Sequence, residues 1–113
     1  MTLSGDAQLL RIYIGELTKH GHHPIYDLIV TEARKRDIAG ATVLRGPIGY
    51  GHSHRMHTAK ILELSSDLPL VIEIVETEEK IAEFLPFVKE VLAGRGLITL
   101  EKVQVVPHEH RTT

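Results

Sequence analysis

The chain has no cysteine, and aromatic residues make up only 4% of its 113 positions. Without cysteine there can be no disulfide, no thiol nucleophile and no thiolate metal ligand. So few rings leave no row of stacking side chains for a single nucleic-acid strand. The basic surplus that phosphate neutralisation needs is also missing: 13 Lys and Arg stand against 15 Asp and Glu, a formal charge of −2. Nucleic acid is therefore not an expected partner. No apolar run approaches about 20 residues, which excludes direct membrane insertion by a helix. The opening "MTLSGDAQLL" lacks a basic region and a continuous apolar stretch, so no secretory signal is expected and a cytoplasmic location is. No Ser-His-Asp or Cys-His arrangement can be built from the spacing, so no catalytic residue is assigned. The reading is of a binding protein rather than an enzyme.

What is present describes one domain over residues 1–113, with an ordered core over about 7–107. "AQLLRIYIGEL" alternates, with Leu10, Ile12 and Ile14 on one face and Leu9, Arg11 and Tyr13 on the other. Pro24 suits the first turn of a helix in which Ile25, Leu28, Ile29 and Ala33 recur. That helix is expected to end in "DIAG" at Gly40, and "ATVLR" begins a second strand. The plan then repeats. "LPLVIEIVE" is a strand, Thr77 an N-cap, and Ile81, Leu85, Val88 and Leu92 mark a helix that Pro86 should kink. "AGRG" closes it, and "LITLEKVQVV" supplies the last strand. The result is an α+β, ferredoxin-like βαββαβ fold: a four-stranded, largely antiparallel sheet with two helices on one face. Leu9, Tyr13, Val71 and Val75, with alternating apolar residues in the last strand, leave neither face of the sheet fully polar, which predicts burial of the uncovered face against further copies of the chain.

Eight histidines are the outlier of the composition, and three of them crowd the midpoint segment "GATVLRGPIGYGHSHRMH". A mobile loop is expected over about 46–57. Its glycines, Gly46, Gly49 and Gly51, would let backbone N–H groups approach an anion, although no Walker or dinucleotide pattern follows. His52 and His54 share a face if the segment is extended, and His57 could close a divalent-metal site. Anion cradle, metal site and plain connection all stay open on these residues alone.

The segment "IAGATVLRGPIGYG" resembles the part of PII signalling proteins where a helix ends at glycine and a strand leads into Gly-aromatic-Gly and the long T-loop. The chain as a whole resembles still more closely a family of short PII-like proteins known as domain-of-unknown-function family 190. It shares the "GATVLRG" stretch, "LPLVIEIVET", and a leucine-proline helix ending in "GLITLE". The resemblance covers nearly all of residues 7–107, and it implies a homotrimer that binds a small molecule, an adenine nucleotide in PII proteins, in clefts between subunits. Carried over, Thr42 would lie near the base of the loop, and Gly49 and Gly51 near phosphates. Arg95 would supply a cation from the turn after the second helix, flanked by Gly94 and Gly96. Arg45 joins the set by its place at the loop base. Two departures from PII proteins stand out. His-Ser-His-Arg follows Gly51 where they carry Arg-Gln and a Lys-Gly pair, and the long basic C-terminal stretch is missing. The resemblance also implies a regulated protein partner. The alternative is a trimer binding a divalent metal through His52, His54 and His57.

Overall fold

In chain order the elements are β1 (Gly5–Gly15), β2 (Lys19–His20), β3 (His23–Pro24), α1 (Ile25–Lys35), β4 (Thr42–Arg45), β5 (Ile48–Gly49), β6 (His57–Thr58), β7 (Pro69–Glu76), α2 (Glu78–Leu92) and β8 (Leu97–Val105). They come from a computed structural model, which describes residues 3–51, 56–58 and 67–107. The four main strands form one sheet in the order β4-β7-β1-β8, and every neighbouring pair is antiparallel. This is the ferredoxin-like plan expected from the sequence.

Alternation decides which side is covered. Leu10, Ile12 and Ile14 of β1 and Leu70, Ile72 and Ile74 of β7 point to one face and are buried there. Onto that face α1 lays Ile25, Ile29 and Ala33, and α2 lays Ile81, Phe84, Val88, Val91 and Leu92. Each of the larger side chains contributes about 1.5–3 kcal/mol by leaving water, so this single cluster dominates stability.

The helix ends show local chemistry at work. Thr77 caps α2 by accepting from the Lys80 N–H at 3.3 Å, with Glu78 and Glu79 in the first turn facing the positive end of the dipole. Pro86 does not break α2, which runs unbroken from Glu78 to Leu92 with the proline exposed. Helix α1 stops at Lys35, earlier than Gly40. Asp37 takes the left-handed conformation, φ 59°, and the Ile38 N–H turns back to the Ala33 carbonyl at 3.0 Å. The terminating residue in "DIAG" is thus its aspartate, not its glycine. Pro24 is the N-cap of α1 rather than part of its first turn. With no side-chain cap there, the first helical donor, Ile25 N–H, is satisfied by the Thr18 carbonyl at 2.9 Å.

The uncovered face is organised in rows. Leu44, Val71, Tyr13 and Leu97 lie directly opposite one another across all four strands. The next row is polar: Thr42, Glu73, Arg11 and Thr99. Arg11 bonds Glu73 at 2.9 Å and Glu101 at 3.2 Å, and the Glu73 bond is the main reason its guanidinium pKa lies above the ordinary value.

Candidate ligand site at one end of the sheet

The Gly46 loop base and the Gly94–Gly96 turn leave the sheet at the same end but at opposite edges. Arg45 pairs with Leu70, and Leu70 with Ile14, while Gly96 lies against the Tyr13 carbonyl and the Ile14 side chain. Three strand spacings separate the edges, about 14 Å. One chain therefore does not bring Thr42 and Arg45 together with Arg95. A continuous site requires the edges of two copies.

At the β4 edge, Thr42 is exposed and pairs with Glu73. Arg45 projects to the helix side and makes an ion pair with Glu16, whose carboxylate is mostly covered while the guanidinium remains largely exposed. Sequence spacing gives no sign of this partner, which lies 29 residues away. The Gly46 N–H donates to the Pro69 carbonyl at 2.8 Å. A Cβ on Gly46 would sit 3.1 Å from the Pro69 ring, and one on Gly49 would sit 3.0 Å from it. Both glycines therefore pack closely against Pro69. A Cβ on Gly51 would meet nothing within 4 Å. Both ends of the expected loop are paired, since β5 and β6 set Ile48 opposite Thr58 and Gly49 opposite His57.

At the other edge, Ala93 (φ 51°) and Gly94 (φ 80°) reverse the chain after α2, and the Ala93 N–H bonds the Lys89 carbonyl. Gly96 is held at φ 73° with its α-carbon so close to β1 that a Cβ would lie 2.5 Å from the Tyr13 oxygen. Arg95 spans the junction. Its Nε donates to the Leu92 carbonyl at 2.8 Å, one terminal nitrogen to Lys19 at 2.9 Å, and the other to Val91 at 3.3 Å. The side chain thus caps α2 and ties down the β2–β3 hairpin, a role the sequence reading missed. It stays exposed, and a guanidinium has five donors, so it retains capacity for an anion.

The histidines fall differently. His52 and His54 lie outside the described residues, and of His57 only the backbone is described. Among the described residues no three His, Cys, Asp or Glu side chains converge as metal ligands.

The model of the DUF190 family, described as "Uncharacterized ACR, COG1993", matches residues 7–105. The chain belongs to this family. A UPF0166 protein of Aquifex aeolicus is 40% identical over 99 residues, covering 88% of this chain and 92% of that one. A UPF0166 protein of Methanocaldococcus jannaschii is 36% identical over 103 residues, covering 91% and 94%. Among solved structures, the DUF190 chain is similar to CPII bound to ADP and bicarbonate, from Thiomonas intermedia. There the TM-score is 0.67 and the identity 17%, over 90% of each chain. It is also similar to the B. subtilis GlnK–ATP complex, with TM-score 0.56 and 17% identity over 90% of this chain and 85% of that one. The fold is PII-like.

Proposed function

We propose that this DUF190 protein is a non-enzymatic, trimeric PII-like regulator. A nucleotide would lie between the β4 edge of one subunit and the α2–β8 turn of the next. Its arrival would order the loop that follows Gly46 and change which protein partner that loop can engage, an order–disorder switch. The observation that carries the reading is the shared fold with two proteins whose structures hold ADP and ATP. Strand order supports it, because the candidate contacts Thr42, Arg45 and Gly51 stand on one edge and Gly94, Arg95 and Gly96 on the other. Two copies can bring these groups together; one cannot.

The test is thermal unfolding with AMP, ADP or ATP at millimolar concentration. A ligand that binds only the native state stabilises it, by about 2.7 kcal/mol when present at 100 times its dissociation constant. We expect at least one nucleotide to raise Tm by several degrees, and Gly51→Val to remove that rise while leaving the ligand-free Tm in place. No shift with any of the three would overturn the nucleotide reading.

A further inference from the structure

One sequence feature is absorbed neither by the fold nor by the nucleotide reading: "HGHH", residues 20–23. The structure folds it into a two-residue hairpin, with Lys19 opposite Pro24 and His20 opposite His23. Gly21, at φ 64°, takes the first turn position, the conformation a II′ hairpin turn asks of glycine. The Ile25–Thr18 backbone bond fixes the register, so His20 and His23 are the hydrogen-bonded pair that closes the turn. Pro24, which lacks an N–H, then falls at the non-hydrogen-bonded position where none is needed.

Residues directly opposite in such a ladder project from the same face, with Cβ atoms about 5 Å apart. Two imidazole nitrogens on one metal ion must come within about 4 Å of each other, given metal–nitrogen bonds near 2.0–2.1 Å. Side chains rooted about 5 Å apart reach that geometry by rotation about their first two torsions. Both residues are exposed, and among the described residues no side-chain hydrogen bond or ion pair engages either imidazole. The platform is also fixed, since the Arg95 guanidinium holds the Lys19 carbonyl at 2.9 Å and Thr18 holds the start of α1.

We infer that His20 and His23 form a two-imidazole clamp for a late first-row transition-metal ion, of the class that neutral imidazole selects: Cu²⁺, Ni²⁺ or Zn²⁺. Among the described residues no third His, Cys, Asp or Glu joins them, so the clamp these residues supply is bidentate. The clamp uses none of the loop histidines and none of the residues assigned to the nucleotide.

Isothermal titration with Ni²⁺ at neutral pH tests the assignment, with thermal melts verifying that each variant is folded. His20→Ala and His23→Ala should each weaken the tightest site about tenfold or more, because losing one arm abolishes chelation. His22→Ala should leave affinity within about twofold, as should the His52→Ala/His54→Ala double variant. Unchanged affinity in both His20→Ala and His23→Ala would overturn the clamp. So would an equal loss in His22→Ala, a turn residue outside the cross-strand pair, or loss of the site in the loop variant.

Discussion

Glu76 ends β7 and is only 2% exposed, the one buried charged residue among those described. One carboxylate oxygen accepts from the Ala39 N–H at 2.8 Å and the other from the Thr77 N–H at 2.7 Å. It thereby pins the segment after α1 to the start of α2 and satisfies two part-buried backbone donors. Glu76→Ala strands both donors and should cost about 2–4 kcal/mol in urea unfolding. Glu76→Gln keeps an acceptor for Ala39 and should lose less than the alanine variant. Equal stability of all three proteins would show that the carboxylate is replaceable by water. This role was not legible beforehand, because Glu76 follows the alternation of "LPLVIEIVE" and its partner Ala39 lies 37 residues away. The glycines teach a related lesson. A Cβ on Gly46 or Gly49 would press on the Pro69 ring, whereas one on Gly51 would meet nothing within 4 Å, so the three loop glycines stand in different surroundings.

Elements with strong periodicity were readable, and the places where the reading slipped have local causes. β1, β7 and α2 carry uninterrupted patterns over 8 to 15 residues, so pattern and structure agree to within a residue or two. The β2–β3 hairpin has two-residue strands, too short for any period, and only Gly-X at the turn marks it. The end of α1 slipped because a left-handed aspartate stops it where glycine was expected. Arg95 joins two such elements through three carbonyls, a fork that a lysine ammonium cannot reproduce. Arg95→Lys keeps the charge and should still cost about 1–2 kcal/mol of stability. Hydrogen exchange should quicken at residues 18–25 while the β1–β7 ladder stays protected. Unchanged exchange in the hairpin would mean that the guanidinium does not hold it. In the nucleotide reading the same variant separates charge from geometry, because a phosphate contact made by charge alone survives it.

At the scale of the whole molecule, the open sheet face is the candidate surface for assembly. Leu44, Val71, Tyr13 and Leu97 make an apolar row from edge to edge, and Leu44, Tyr13 and Leu97 stay 50%, 38% and 53% exposed in the single chain. The neighbouring row is not apolar, and there Arg11 neutralises Glu73 on the sheet surface. That pairing lets the polar row enter an interface without an uncompensated charge, and an apolar row this wide has reason to be covered. On the trimer reading, wild-type protein should run at three times 12.6 kDa in light scattering. Tyr13→Glu would bury a lone carboxylate in the middle of the row and should release folded monomers, with the helix-side core and its circular dichroism unchanged. Glu79→Lys, on the exposed first turn of α2, should leave the assembly intact. A wild-type monomer would sink the assembly outright. A Tyr13→Glu protein that still runs as a trimer would move the interface off this face, and with it the placement of Thr42 beside a neighbour's Arg95.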